Sequence, residues 1–134
     1  PDDPGANYAR LLAAADSSDL VLLCSYLSPN YSAASATAAA PVLEFMRTIS
    51  RRGSHVVLVN FGNPYLYQQL PDVTTYLIAW GGFPISQRAA AQALLGINAI
   101  TGRLPIAIPP AFSMGAGEVR ATLAPAAAPG VSRP

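Results

Sequence analysis

Residues 55–65 read His-Val-Val-Leu-Val-Asn-Phe-Gly-Asn-Pro-Tyr, and the rest of the chain is arranged around this stretch. Its first half is apolar and rich in β-branched residues, which predicts a strand buried on both faces of a parallel sheet. A turn follows at once, because Gly62 can take a positive φ, Asn63 can cap a helix and Pro64 suits the first helical position. The stretch therefore predicts a strand that passes to a helix at the carboxyl edge of a sheet, where ligands and partner domains bind.

The composition indicates one globular domain with few charges. Of the 134 residues, 51% are hydrophobic and 11% are charged. The basic residues are scattered arginines and the net charge is +1, so we expect no nucleic-acid binding. No apolar run approaches the ~20 residues of a membrane span, so none is expected. The single cysteine, Cys24, lies in an apolar run and is expected to be a buried strand residue and not a reactive thiol.

The order of the predicted elements is typical of an α/β fold. Helices are predicted at about residues 4–16, 41–52, 64–70 and 87–95, the last capped by Ser86, and strands at about 19–27, 55–61, 74–80 and 104–108. Right-handed crossovers would make this a three-layer α/β/α sandwich with a mainly parallel sheet of about four strands. Because such domains generally begin with a strand, the initial helix indicates truncation at the N-terminal side. We divide the chain into an α/β domain, residues 1–112, and a flexible Ala/Pro/Gly-rich tail, residues 113–134.

Taken alone, the residues offer no complete catalytic set. The G-x-S-x-G turn of serine hydrolases is missing, and His55, the single histidine, stands at the amino end of its strand. Glu44, Asp72 and Glu118 are interpreted as solvated surface acids and not as the paired carboxylates of a glycosidase. The turn at Gly62 could hold an anion at a helix N-terminus, but the phosphate-binding glycine motifs and any lysine are missing. We assign no catalytic residue, metal ligand or cofactor.

Candidate binding residues lie in the loops that leave the carboxyl ends of the first three predicted strands, at residues 28–40, 62–65 and 81–85. These loops should gather at one edge of a parallel sheet. They carry Tyr31, Asn63, Tyr65 and Phe83, which could stack on and hydrogen-bond a sugar or a partner loop. An open alternative is that the tyrosines merely cover the ends of the core.

Four motifs together resemble the C-terminal domain of glycoside hydrolase family 3, in the family's order and spacing, over about residues 19–110. They are V-L-V-N-F-G-N-P-Y at 57–65, Y-L-I-A-W at 76–80, Q-R-A-A-A-Q-A-L-L-G at 87–96 and T-G-R-L-P-I-A-I-P at 101–109. In that family a (β/α)8 barrel carries the aspartate nucleophile, and the C-terminal α/β sandwich packs beside it. The G-N-P-Y sequence and the Q-x-A-A-A-Q-A-L sequence resemble those of the β-N-acetylhexosaminidase branch. That branch uses a His-Asp pair on a barrel loop. The acid/base glutamate of the β-glucosidase branch has no counterpart here.

The resemblance implies an accessory domain of a retaining glycoside hydrolase, a β-N-acetylglucosaminidase that acts on cell-wall or chitin-type sugars. Its partners would be an N-terminal (β/α)8 barrel of the same protein and a carbohydrate at the domain interface, in the cell envelope or outside the cell. The chain alone would then be inactive. The alternative that stays open is a freestanding α/β module that binds a small anion or sugar at the carboxyl edge.

Overall fold

The chain has an α/β fold with alternating helices and an all-parallel sheet, as the sequence predicts, but in the part of the chain that the structure describes the sheet has three strands and not four. The structure is a computed structural model that describes residues 4–27, 39–52 and 55–123. In chain order the elements are α1 (Pro4–Asp16), β1 (Leu20–Ser25), α2 (Ala40–Ser50), β2 (His55–Asn60), a 3-10 helix (Pro64–Gln69), β3 (Thr75–Ile78) and α3 (Pro84–Leu94). None of the described helices is long and apolar enough to cross a membrane.

The predicted central strand, β2, lies in the middle of the sheet, in the order β1-β2-β3. It pairs with β1 along its whole length and with β3 over residues 57–60. Its side chains alternate between two hydrophobic clusters, one on each face of the sheet. Leu58 points into a cluster with residues of α2 and the 3-10 helix, and Val59 into a cluster with Phe61 and with Ala90 of α3. The position between two clusters explains why this stretch is apolar on both faces.

The first strand is less buried than the sequence predicts. On one face of β1 the side chains of Leu20, Leu22 and Cys24 are exposed. The reason is that α3 packs on this face through Ala90 against Val59, towards the middle of the sheet, and leaves the β1 side open. The prediction that Cys24 is buried is therefore wrong.

The fourth predicted strand, at residues 104–108, does not form. Leu104 instead donates its N–H to Ala116 O at 2.8 Å, and Ile108 makes an isolated bridge with Phe112. Pro105 has no N–H to donate to a ladder, so this stretch turns back on itself beside the sheet. We call residues 97–123 the C-terminal arm.

The C-terminal arm includes part of the segment that we expected to be loosely held. Ile100 and Arg120 exchange two backbone hydrogen bonds of 2.8 and 2.9 Å, and Leu123 donates to Gly96 O at 2.8 Å. Residues 113–123 are thus hydrogen-bonded to the chain that follows α3. The remainder of the predicted tail, residues 124–134, and most of the predicted loop, residues 28–38, lie outside the described residues.

The third helix starts earlier than predicted. Its N-cap is Phe83, and Pro84 occupies the first turn, so Ser86 lies inside the helix and is not the cap. Proline is favoured there because its fixed φ matches the helix and its missing N–H would have no partner. The helix ends at Leu94, and Gly96 follows with φ +70°, as expected of a glycine that stops a helix.

Candidate functional site at the carboxyl edge

The three parallel strands end at the same edge of the sheet, which we call the carboxyl edge. Backbone hydrogen bonds continue past the strand ends and tie the outgoing loops together. Phe61 N donates to Ser25 O at 2.8 Å, and Asn63 N donates to Leu27 O at 2.9 Å. The loop after β2 is therefore held in place by the chain that leaves β1.

The side chain of Asn60 organises the turn that follows β2. It is fully buried, and its Nδ2 donates to Asn63 O at 2.7 Å and to the Tyr76 hydroxyl oxygen at 2.6 Å. Its Oδ1 accepts a hydrogen bond from Gly62 N at 3.0 Å. One side chain thus joins β2, the turn and β3, so the turn has one defined geometry.

The hydroxyl group of Tyr76 closes this network. It donates to the carbonyl oxygen of Pro64 at 3.0 Å. Burial raises the pKa of the Tyr76 phenol to about 12, although the hydrogen bond from Asn60 opposes the shift. The phenol therefore stays protonated at neutral pH, which is the form that can donate to Pro64.

Asn63 acts inside the turn. Its side chain is only 4% exposed, and its Oδ1 accepts a hydrogen bond from Tyr65 N at 3.0 Å, which caps the 3-10 helix. The predicted capping role is confirmed. A role for this side chain in binding a sugar or a partner stays a prediction, and burial restricts it to supporting the residues beside it.

Gly62 is required for a reason other than the one we predicted. It is not among the glycines with positive φ, so that prediction is wrong. A Cβ placed on Gly62 would lie 2.6 Å from the carbonyl carbon of Leu27 and nearer still to its oxygen. Only a residue without a side chain lets the turn approach the chain after β1 this closely.

Exposed aromatic side chains surround the turn. Tyr65 is 39% exposed and Phe83 73% exposed, so both predicted residues present rings to solvent, although these two rings do not contact each other. Tyr26 is half exposed and stacks on Phe61 with 4.7 Å between ring centroids. The fourth predicted residue, Tyr31, lies outside the described residues.

Sequence reasoning missed three residues of this edge, namely Asn60, Tyr26 and Trp80. Asn60 could have been found as the polar residue that ends an apolar strand. Trp80 has φ 58°, a backbone conformation that bulky residues rarely adopt, and it is half exposed. Its signal in the sequence is the Gly81-Gly82 pair that follows it, which marks a sharp turn.

The acidic side chains that we weighed as catalytic candidates are all exposed. Asp72 pairs with Arg51 at 2.8 Å in the turn before β3, and Glu118 pairs with Arg120 in the C-terminal arm. Glu44 is exposed on α2. His55 begins β2 at the opposite edge, and its side chain is not among those described. Within residues 4–27, 39–52 and 55–123, no three His, Cys, Asp or Glu side chains are grouped as metal ligands.

The described backbone groups of this edge are largely engaged within the turn. Its exposed surface includes the aromatic rings of Tyr65, Phe83 and Tyr26, and such rings pack well against the C–H faces of sugars and against loops of other proteins. The buried Ser25 Oγ has no hydrogen-bond partner among the described residues. Comparisons of the chain with protein-family models, with curated proteins and with solved structures found no match.

Proposed function

We propose that this chain is the accessory α/β domain of a retaining glycoside hydrolase that resembles family 3. In this proposal the enzyme is a β-N-acetylglucosaminidase that acts on cell-wall or chitin-type sugars, in the cell envelope or outside the cell. The domain packs beside a (β/α)8 barrel of the same protein, and the barrel supplies the nucleophile. In this proposal the sheet belongs to a three-layer α/β/α sandwich.

The observation that carries the proposal is the rigid turn at the carboxyl edge. Its G-N-P-Y residues, together with the later G-R-L-P residues at 102–105, are the most specific part of the resemblance. Asn60, Asn63 and Tyr76 hold the turn in one geometry. This geometry presents Tyr65 at the edge where α/β domains bind ligands and partners. A surface that is ordered before binding loses less conformational entropy when a partner docks.

The placement of the carboxylates also supports a partner that supplies the chemistry. A retaining glycosidase needs two carboxyl-type groups about 5 Å apart across the scissile bond. The acids weighed as candidates pair with arginines or lie exposed on a helix surface, and no two of them form a hydrogen-bonded pair among the described residues. An aromatic surface beside a catalytic barrel would position the sugar, and the barrel would cleave it.

The coding sequence tests this proposal most directly. We expect a (β/α)8 barrel to be encoded upstream in the same reading frame. A frame that encodes no barrel overturns the proposal. Such a result would favour the freestanding module. The test of that alternative is saturable binding of N-acetylglucosamine to this chain alone, measured by the fluorescence of Trp80, the single tryptophan.

Turnover by the full-length protein gives the second test. With a chromogenic N-acetylglucosaminide, Tyr65→Ala and Phe83→Ala should lower kcat/KM by roughly fivefold, if each ring contributes about 1 kcal/mol of contact. Leu95→Ala is the matched control, because Leu95 is also exposed but follows α3 at its far end. Equal activity of all three variants would count against the carboxyl edge as the interface.

A further inference from the structure

The outer edge of β3 has no strand beside it in the described part of the chain. Ala79 N donates to Asn60 O at 2.9 Å, so the backbone groups of Leu77 and Ala79 face β2. The backbone N–H and C=O groups of Tyr76 and Ile78 consequently face outwards. They have no hydrogen-bond partner among the residues that the structure describes.

The C-terminal arm passes alongside this edge without pairing with it. At one end it is fixed to the chain that follows α3 through the hydrogen bond from Leu123 N to Gly96 O. At the other end Gln68 Nε2 donates to Pro109 O at 2.6 Å, and the rings of Tyr67 and Phe112 lie 4.9 Å apart. The C-terminal arm is therefore held by its own contacts and lies opposite the outer edge of β3 without hydrogen bonds to it.

Two cavities occupy the gap between β3 and the C-terminal arm. One, of about 420 Å³, lies on the α3 side and is lined by Leu77, Ala89 and Ala93. The other, of about 530 Å³, extends round to the opposite face and reaches Tyr67 and Tyr76. Both touch Ile78, Trp80, Ile100 and Gly102. We call the two cavities together the edge groove.

We propose that the edge groove binds an extended polypeptide segment of a different protein, which adds to β3 as a fourth strand. A strand supplies what the groove lacks, namely a row of N–H and C=O groups opposite Tyr76 and Ile78. Its successive side chains point to opposite faces of the sheet, so they would enter the two cavities in turn. A small organic ligand would fill the space but would leave the row of backbone groups unpaired.

The lining of the groove defines the class of segment. Alanines and Leu77 line the α3 side, which fits an apolar side chain such as valine. The other side combines aromatic rings with Arg103, Glu118 and Arg120, which fits a β-branched side chain with a hydroxyl group such as threonine. β3 has four residues and is about 13 Å long, which a pentapeptide spans. The groove shares Trp80 with the carboxyl edge but does not include Tyr65, and the inference does not depend on the proposed function.

The probe is an acetylated and amidated pentapeptide of alternating threonine and valine. Trp80 lines both cavities and is the single tryptophan, so its fluorescence should change saturably as the peptide binds. Two control peptides carry N-methyl groups, one on the second and fourth residues and the other on the third and fifth. Because alternate N–H groups of a strand face its neighbour, one control should bind roughly tenfold more weakly and the other nearly as well as the parent peptide.

A variant of the protein tests the location. A Cβ on Gly102 meets nothing within 4 Å, so Gly102→Phe should fill the groove without disturbing the fold. It should weaken peptide binding by roughly tenfold or more, because the ring occupies the space of a peptide side chain. Ala111→Phe is the control, since Ala111 is exposed in the same arm and lines neither cavity.

Three results would overturn the inference. The first is no saturable response to the parent peptide, and the second is equal binding by both N-methylated peptides or by the Gly102→Phe protein. The third is a dimer in analytical ultracentrifugation that Gly102→Phe dissociates, because a second copy of this chain would then be the occupant. A monomer at the same concentration supports a segment from a different molecule.

Discussion

Gly62→Ala should destabilise the fold strongly, although it adds a single methyl group. The added Cβ would lie 2.6 Å from the carbonyl carbon of Leu27, where carbon atoms normally approach to about 3.5 Å. Relieving the clash requires a backbone shift of nearly 1 Å, which breaks the 2.9 Å bond from Asn63 N to Leu27 O. An unpaired buried donor costs about 1–3 kcal/mol and overpacking costs about 1–3 kcal/mol, so we expect a loss of roughly 3 kcal/mol.

Thermal and denaturant unfolding of the purified chain would measure this loss. For a domain of this size, about 3 kcal/mol corresponds to a fall in Tm of roughly 10 °C. Gly102→Ala is the matched control, because its Cβ would meet no atom within 4 Å and its φ is not positive, so its stability should change by less than about 0.5 kcal/mol. Similar Tm values for the two variants would show that the turn does not approach β1 as closely as described.

The remaining predictions concern the Asn60 network and the exposed edge. Asn60→Ala should lower the free energy of unfolding by about 2–4 kcal/mol, because it leaves several buried groups unpaired. Asn63→Ala should lower it by about 1 kcal/mol, because it removes one helix cap. Urea titrations that rank the two variants in the reverse order would contradict this prediction. Because the folded-state pKa of Tyr76 is raised to about 12, the folded state holds its proton more tightly than the unfolded state, so this contribution to stability is present below pH ~10 and is lost as the pH rises towards 12. Tyr76→Phe should show a smaller loss of stability across that window, and an identical pH profile would contradict the assignment. Phe83→Ala should leave Tm within a few degrees of the wild-type value, since the ring is 73% exposed, and a large fall would mean that it supports the core.

The sequence could predict the elements whose pattern is local. The strand β2 and the turn after it could be predicted because an apolar run is followed by Gly62, Asn63 and Pro64. Each of these residue types favours particular backbone conformations. The parallel sheet followed from the alternation of strands and helices. The capping role of Asn63 was also local, since it depends on the residue two positions ahead.

The rest depends on contacts between segments distant in sequence. The need for Gly62 comes from Leu27, which lies in the chain after another strand, so propensity suggested a positive φ where the cause is a close approach. Asn60 binds Tyr76, 16 residues away, and no short motif contains both. The stretch at 104–108 has strand-like composition, but its partner is Ala116 in the C-terminal arm and not the sheet. Composition alone cannot choose between those two partners.

The bond from Asn60 to Tyr76 has a consequence for the kinetics of folding. A 3-10 helix of six residues does not persist alone, and the turn before it obtains its full set of hydrogen bonds only when β3 has docked beside β2. The Gly62 and Tyr65 amide protons should therefore exchange with solvent at the rate of the central strand, through global opening and not through local fraying. An edge loop of this kind folds and unfolds together with the core, so the position of its exposed rings persists for as long as the sheet does.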